Sequence, residues 1–401
     1  MIDNIKLNFN RLCKEEYTIE KIFQDNDSYG WPGDWEGRAL LAFCCHYEIN
    51  KNKVPALSTF IAELKKHTNK NKYLGKVYDG ITVDEQQLSG HSWYLRGLLK
   101  YYELFNDESV MEIAKSTVYN LYLPILNTYD KYPLNRIDDG GVGGYHNGII
   151  NNWKVSSDVG CAFMCVDGLS HYYSITKDEK VKEFLDKIID KFLSIDIVNN
   201  KFQTHASLSC MRGILSVYKA TVDTKYLEYV EKLFDLYVKF GMTKTYENFN
   251  WFKREETWTE PCAVVDSFIL ATELFNITHE NCYLVLARRI WFNGLQFCQR
   301  ENGGAGPNSC VTREKPILKI SMYEAPFCCS MRYAEGLLEY SKNEKLFKWN
   351  KDALIVEETD GRKYIDDKLL VKVDGNTVPI FSCNEIEEDK AMTLKLNVLF
   401  N

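Results

Sequence analysis

Hydrophobic residues along most of the chain follow a helical period, and one arrangement of helix and turn recurs. A mostly apolar helix carries a small residue near its middle, then an aromatic residue, then a polar turn rich in Asp, Asn or Thr. An amphipathic helix usually follows, as at residues 225–240, where apolar residues fall at helical spacing. The arrangement occurs six times, at residues 34–53, 91–109, 160–180, 205–225, 262–281 and 328–345.

Six helix pairs at irregular spacing predict a mainly α fold, an (α/α)6 toroid or barrel that forms one catalytic domain over residues 1–345. Small mid-helix residues mark the helices that we expect around the axis, where helices crowd together; they are Gly97, Gly168, Gly213 and Gly336. An open α-solenoid is the alternative, although its repeats are usually shorter and more regular.

The pattern changes after about Asp352, where apolar and polar residues alternate in "YIDDKLLVKVDGNTVPIF" and "MTLKLNVLF". Alternation around Asp-Gly-Asn is typical of two strands joined by a tight turn. Residues 346–401 are therefore predicted as a small β-rich segment that follows the helical domain.

The charge of the chain limits its partners. The formal net charge is −7 and no basic block occurs, which argues against nucleic acid and anionic membranes as partners. The first residues contain no apolar leader, and no run of about 18 apolar residues follows. We expect a cytoplasmic protein, and leave open that it forms a homo-oligomer.

The cysteine content points to reduced thiols. The chain has 13 Cys, an odd number, including the adjacent pairs Cys44–Cys45 and Cys328–Cys329. A disulfide framework is not expected in a long chain without a leader, whereas core thiols and metal ligands are.

The reactive residues lie upstream of the helix midpoints. His91 lies six residues before Gly97, and His205 lies eight before Gly213. Cys328 lies eight residues before Gly336, with Cys329 next to it, and the pair Glu260 and Cys262 lies at the matching place before Ala271. If the inner helices run parallel, all these side chains share one end of the barrel.

One oxygen and three sulfur donors would make a four-coordinate zinc site, so Zn²⁺ is the predicted cofactor. The predicted ligands are Glu260, Cys262, Cys328 and Cys329. The alternative is that the thiols are core residues and that Glu260 is an acid at a helix N-terminus, where the helix dipole favours it.

Further side chains are candidates for catalysis or sugar binding. Glu247 lies among Tyr246, Phe249 and Trp251, surroundings that could raise its pKa and make it a general acid; a surface Glu is the alternative. His91 and His205 are candidates for hydrogen bonds to a sugar, and Trp35, Trp93 and Trp251 for stacking on one; packing in the core is the alternative for each. The remaining histidines are assigned to packing or the surface.

Several segments resemble glycoside hydrolase family 127, whose founding activity is β-L-arabinofuranosidase. The similarity covers about Gly33 to Tyr340 and is carried by "LSGHSWYLRGLLKYY", "THASLSCMRGIL", "YENFNW", "TWTEPCAVVDS", "NGLQFCQRENGGAG" and "YEAPFCCSMRYAEGL". The resemblance implies an (α/α)6 barrel with a zinc ion on Glu260, Cys262, Cys328 and Cys329. It also implies that Cys328 is the nucleophile of a retaining mechanism, that Glu247 is the acid/base, and that His91 and His205 contact the sugar.

These observations predict a zinc-dependent retaining glycoside hydrolase, similar to β-L-arabinofuranosidases, acting on an oligosaccharide or other glycoside. A zinc-bound thiolate is deprotonated at neutral pH and can replace the usual carboxylate nucleophile. One alternative is a sugar epimerase or isomerase on the same barrel, with His91 and His205 as acid and base. Another is a non-catalytic protein that binds zinc and sugar.

Overall fold

A computed structural model of the chain describes residues 2–24, 30–78, 82–136, 146–312 and 319–347, together with the backbone of four strands between residues 355 and 380. In chain order the helices are α1 (Ile2–Leu12), α2 (Ile19–Ile22), α3 (Asp34–Asn50), α4 (Leu57–His67), α5 (Glu85–Phe105), α6 (Glu108–Thr117), α7 (Cys165–Thr176), α8 (Glu179–Leu193), α9 (Thr204–Thr221), α10 (Thr224–Phe240), α11 (Pro261–Thr278), α12 (Asn281–Arg289), α13 (Gln296–Cys298), α14 (Cys329–Lys342) and α15 (Glu344–Phe347).

Six helices form a closed inner ring. Helices α3, α5, α7, α9, α11 and α14 each pack on the next, and α14 returns to α3. These are the six helices that open the sequence repeats. The predicted toroid is therefore confirmed, and the open solenoid is excluded because its ends would not meet.

Six further helices form the outer layer. Helices α4, α6, α8, α10 and α12 each pack on the inner helix that precedes them, and α1 packs on α14. Helix α8 illustrates why these helices pack with one face inward. Val181, Leu185 and Ile188 are buried at helical spacing, and the remaining face is polar. The N-terminal helix thus completes the sixth pair, a role that the repeat pattern did not indicate.

The polar turns of the repeat change the chain direction between inner and outer helices. Asn106, Lys177 and Val222 end their inner helices with φ of 53°, 54° and 60°, in the left-handed region that stops a helix. An aspartate follows each of them, and its carboxylate accepts a hydrogen bond from the first turn of the next helix. These are the Asp and Asn positions of the sequence pattern.

Close contact of the inner helices explains the glycines in their middles. A Cβ at Gly97 would lie 2.6 Å from the carbonyl oxygen of Gly37 on α3, and one at Gly213 would lie 2.5 Å from the carbonyl carbon of Val166 on α7. Both distances are too short for a methyl group. The predicted crowding around the axis is confirmed at these two positions.

Two small sheets accompany the helices. Strands β1 (Val83–Asp84), β2 (His146–Ile150) and β3 (Trp153–Ser156) form a sheet in the order β1-β3-β2. Strands β4 (Ile355–Glu357), β5 (Lys363–Ile365), β6 (Lys368–Val373) and β7 (Asn376–Ile380) pair antiparallel in chain order, with Val373 opposite Asn376 at the predicted turn. The strand predicted at "MTLKLNVLF" and the Gly-rich segment 137–145 lie outside the described residues.

Helix α11 is long and apolar enough to cross a membrane, with a mean hydropathy of 1.2 over Pro261–Thr278. Inside the protein it is an inner helix of the ring, and 72% of that stretch is buried. Its apolar composition follows from contact with neighbouring helices on both sides.

Candidate active site

The N-terminal ends of the inner helices surround a cavity of about 460 Å³. Of the side chains predicted to form a site, six line it: Trp35, His205, Trp251, Glu260, Cys328 and Cys329. Cys262 lies directly behind this wall and is fully buried. The predicted meeting of distant segments at one end of the barrel is therefore what the structure shows.

Three thiols meet at the wall of the cavity. Cys328 precedes α14 as its N-cap residue, Cys329 is the first residue of that helix, and Cys262 lies in the first turn of α11. The Sγ atoms are 3.3 Å apart for Cys328–Cys329 and 3.8 Å apart for Cys262–Cys329. Both distances far exceed the length of a disulfide, about 2.05 Å, so the sulfurs are free to share a partner.

A second group of potential ligands adjoins the thiols through Cys262. Donor atoms of His205, Glu260 and Cys262 lie within 4.8 Å of one another, as do those of the three thiols. The four predicted zinc ligands therefore belong to two overlapping groups that share Cys262. Three sulfurs and one carboxylate are a donor set suited to zinc. The residues present thus fit the predicted cofactor.

The charge around the thiols favours an anionic sulfur. Hydrogen bonds from Cys262 and Cys329 lower the pKa of the Cys328 thiol to about 5, and the nearby Arg38 guanidinium also lowers it. Burial raises the pKa of Cys262 to about 11. Arg38 Nη1 lies 3.5 Å from Cys262 Sγ, and its Nε lies 2.8 Å from Asp34 Oδ1. The first thiol to ionise is therefore Cys328, which is also the more exposed of the two thiols that line the cavity.

His205 lies between two carboxylates. Its Nδ1 is 2.9 Å from Glu260 Oε1, and its Nε2 is 3.4 Å from Asp266 Oδ2. Burial lowers the pKa of His205, but Glu260 and Asp266 together raise it to about 10. Asp266 is held as an anion by Arg212 and Arg332, and the two guanidiniums keep its pKa well below its usual range despite burial. His205 is therefore a fixed imidazolium at neutral pH.

Of the three predicted sugar-stacking tryptophans, Trp93 does not line the cavity. It is 1% exposed and lies beneath His205, with ring centroids 5.7 Å apart. Arg38 and Arg332 lie over its ring at 4.2 Å and 4.3 Å from the centroid. Its role is to support the charged side chains of the site, which corrects the prediction of sugar stacking.

His91 also lies outside the cavity. It is fully buried, its Nδ1 is 2.8 Å from the carbonyl oxygen of Gln87, and its Nε2 accepts a hydrogen bond from the amide of Leu74. Burial lowers its pKa to about 4. Both ring nitrogens are therefore used by the backbone, and the expected contact with sugar is corrected to a structural role.

A shift of two residues explains the difference between the two histidines. His205 and Cys328 lie eight residues before the glycine of their helix, and Ser89, eight before Gly97, also lines the cavity. His91 lies six residues before Gly97, and two residues turn an α-helix by about 200°. Ser89, rather than His91, is the true counterpart of His205 on α5.

Glu247 lies behind the cavity and is fully buried. Lys319 Nζ lies 2.9 Å from its Oε2, Asn308 Nδ2 donates to its Oε1 over 2.6 Å, and the hydroxyls of Thr245 and Thr259 also donate to it. Cys298 Sγ donates to Oε1 as well, and a carboxylate with this many donors is held in place rather than directed at a ligand. The predicted role of Glu247 as acid/base requires its side chain to line the cavity. The structure does not place it there.

Several cavity residues were not identified from the sequence. Trp31 and Trp258 add aromatic surface, and Asn250 and Gln203 add amide groups. Asp158 adds a carboxylate from the loop after β3. They lie on loops or helix ends, where no periodic pattern marks a residue as part of a site. A second cavity of about 600 Å³ shares Trp31 and Trp35 with the first.

The ring of helices is shared with solved structures of low sequence identity. The GH76 α-mannanase of Bacteroides thetaiotaomicron has a TM-score of 0.52 at 14% identity, with 79% of this chain and 88% of that chain covered. The cellobiose 2-epimerase of Bacillus thermoamylovorans has a TM-score of 0.51 at 15% identity, covering 86% of this chain and 100% of that one. An unsaturated glucuronyl hydrolase specific for heparin has a TM-score of 0.54 at 12% identity, covering 86% and 98%.

These similarities establish the fold, an (α/α)6 toroid. No family model and no curated protein matches the sequence. The resemblance to glycoside hydrolase family 127 is therefore not shown by these comparisons. The function of this chain has to be argued from its own site, in which three thiols lie beside Glu260 and His205.

Proposed function

We propose that this protein is a carbohydrate-active enzyme that hydrolyses a glycosidic bond with retention of configuration, using Cys328 as nucleophile. The observation that carries the proposal is the meeting of Cys262, Cys328 and Cys329 in the wall of a cavity that also contains His205 and Glu260. The similar folds include proteins named as glycoside hydrolases and as sugar epimerases, which supports a sugar as substrate.

The metal in this proposal is zinc, held by Glu260, Cys262, Cys328 and Cys329. The three thiols lie within reach of one common partner, and Glu260 adjoins them through Cys262. Bound zinc would keep the sulfurs deprotonated at neutral pH and moderate the reactivity of their thiolates. Pro261, the first residue of α11, fixes the backbone between the two ligands Glu260 and Cys262.

The reaction takes two steps. In the first, Cys328 Sγ attacks the anomeric carbon; a carbon–sulfur bond forms, the carbon–oxygen bond to the leaving group breaks, and the departing oxygen takes a proton from an acid. In the second, water attacks the same carbon; the carbon–sulfur bond breaks, and the proton of water goes to the conjugate base. Two inversions give net retention.

The sugar is proposed to lie against Trp35, which is partly exposed at the cavity, and Trp251 also belongs to the cavity wall. The side-chain amide of Asn250, which lines the cavity, can form a hydrogen bond with a sugar hydroxyl. The adjoining cavity beyond Trp31 and Trp35 leaves room for a further sugar unit, which favours an oligosaccharide. The resemblance to family 127 makes a β-L-arabinofuranoside the first substrate to test.

The epimerase alternative is supported by the fold but not by the predicted pair of histidines. His205 lines the cavity, whereas both nitrogens of His91 bind the backbone. An epimerase would also make no use of the three thiols. These two observations favour hydrolysis over epimerisation.

A panel of 4-nitrophenyl glycosides, beginning with the β-L-arabinofuranoside, tests the proposal. We expect the wild-type protein to release nitrophenol. NMR should show that the first sugar product has the same anomeric configuration as the substrate. Failure to hydrolyse any glycoside of the panel would overturn the hydrolase proposal. Conversion of cellobiose to an epimer by the same preparation would favour the alternative.

A further inference from the structure

Asp158 presents a carboxyl group to the cavity from a loop that the backbone holds firmly. The loop runs from the end of β3 to a short 3₁₀ turn at Cys161–Met164. The amide of Asp158 donates to Ser156 Oγ over 3.1 Å, and its carbonyl oxygen accepts from the amide of Cys161 over 3.0 Å. Both bonds involve main-chain atoms of Asp158, and its side chain, which takes no part in them, lines the cavity.

Among the described residues, no donor reaches Oδ1 of the Asp158 carboxyl group. Asp158 is 6% exposed, and its buried Oδ1 has no hydrogen-bond partner among the described residues. A buried polar oxygen without a partner is unfavourable and is rare in folded proteins. Such an oxygen at the wall of a cavity indicates that a bound molecule supplies the missing partner.

The charges that face Asp158 come from four side chains on other elements. Glu260 and Glu85 disfavour its ionised form, while His205 and Arg254 favour it. Burial, together with Glu260, raises the pKa of Asp158 to about 7. A buried carboxyl group with a raised pKa can hold the proton that a general acid gives, and can take one back as a base.

We propose that Asp158 is the general acid and base of the hydrolysis. The inference rests on the proposed function and adds the group that the two-step reaction needs. Its carboxyl proton passes to the glycosidic oxygen while the carbon–oxygen bond breaks and the bond to Cys328 Sγ forms. The carboxylate then takes a proton from the attacking water while the carbon–sulfur bond breaks, which returns Asp158 to its starting state.

The contrast with Glu247 supports this assignment. Glu247 accepts hydrogen bonds from several neighbours and pairs with Lys319 behind the cavity, whereas Asp158 lines the cavity with one oxygen unpartnered. A general acid needs a path to the substrate as well as a suitable pKa. Only Asp158 meets the first condition, so Glu247→Gln serves as the matched control.

The experiment compares Asp158→Asn and Glu247→Gln on two glycosides of the sugar that the wild-type enzyme hydrolyses fastest, one with a 4-nitrophenyl and one with a methyl aglycone. We expect Asp158→Asn to reduce kcat/KM for the methyl glycoside by at least about 100-fold, and for the nitrophenyl glycoside by much less, because nitrophenolate leaves without a proton. Glu247→Gln should affect the two glycosides equally.

Azide gives a second readout. With Asp158→Ala, which leaves space beside the anomeric carbon, sodium azide should restore turnover of the nitrophenyl glycoside and yield a glycosyl azide of retained configuration. Equal losses on both glycosides together with no azide product would overturn the assignment of Asp158. A wild-type protein that hydrolyses no glycoside would instead overturn the proposed function, so the two failures are distinguishable.

Discussion

The Sγ atoms of Cys262 and Cys329 lie 3.8 Å apart although the two residues are 67 positions apart in the chain. The parallel arrangement of the inner helices brings them together, since each thiol lies in the first turn of its helix. The same arrangement places Cys328 at the cavity surface, where a sugar can reach it. The predictions below follow from this geometry.

Replacing Cys328 by Ser should abolish turnover while the fold is kept. Serine is nearly isosteric but has a much higher pKa than a thiol held near 5, so no nucleophile forms at neutral pH. We expect kcat to fall by about 10³-fold or more, measured with the best nitrophenyl glycoside. Cys13→Ser, at an exposed thiol, is the control and should retain activity. Unchanged hydrolysis by Cys328→Ser would place the nucleophile elsewhere.

Replacing each of the two histidines by Gln should separate structure from function. His91→Gln loses the hydrogen bonds to Gln87 and Leu74 and should lower the free energy of unfolding by about 1–3 kcal/mol, with kcat/KM of the folded enzyme unchanged. His205→Gln removes the imidazolium at the cavity and should lower kcat/KM by about 100-fold. Urea unfolding and steady-state kinetics on both variants measure the two effects. A loss of kcat/KM in His91→Gln alone would contradict the assignment.

Two buried neutral imidazoles should each lower the stability of the folded protein in mild acid. Burial lowers the pKa values of His46 and His91 to about 4 in the folded protein, whereas an unfolded His titrates near 6.5. Between pH 6.5 and 4 each of these two histidines therefore binds a proton in the unfolded chain but not in the folded protein, so its contribution to the free energy of unfolding decreases as the pH falls through this window. From pH 7.5 to 4 the urea midpoint of the wild type should therefore fall relative to that of His91→Gln, which lacks one of the two imidazoles. Parallel curves would show that His91 does not titrate as inferred.

Methyl groups at the inner glycines should destabilise the ring by unequal amounts. A Cβ at Gly97 would meet the backbone oxygen of Gly37 at 2.6 Å, and a backbone atom cannot turn aside. At Gly336 the nearest atoms are side-chain carbons of Leu295 and Val265, at 2.9 Å and 3.2 Å, which can move. Gly97→Ala should therefore lower the free energy of unfolding by about 1–3 kcal/mol or more, and Gly336→Ala should lower it clearly less. Thermal unfolding of the two variants measures the difference. Equal melting temperatures for the two variants would contradict this account of helix packing.

Much of the fold could be predicted because the inner helices repeat one pattern. Each has a small central residue and ends in a polar turn, and these features follow directly from crowding at the axis and from helix capping. The role of α1 could not be predicted in this way. It packs on α14, which lies more than 300 positions later in the chain, so the two helices are not neighbours in the sequence and form no visible repeat. Only closure of the ring shows that it is the sixth outer helix.

The site was predictable where its residues start helices, and less so elsewhere. Glu260, Cys262 and Cys328 lie at helix N-termini, and their common position in the repeat indicated that they meet. Glu247 was misjudged because its aromatic neighbours in sequence were visible while Lys319, 72 positions later, was not. Asp158 gave no sequence signal, since it lies in a loop whose shape depends on main-chain hydrogen bonds.

Zinc content and coordination test the central claim most directly. The protein, purified without chelators, should carry about one zinc per chain by elemental analysis, and X-ray absorption should show about three sulfur neighbours near 2.3 Å and one lighter neighbour. Cys262→Ser should reduce both the metal content and the number of sulfur neighbours. A protein without stoichiometric metal, or a zinc ion that lacks sulfur neighbours, would contradict the proposal that Glu260 and the three thiols form a single metal centre.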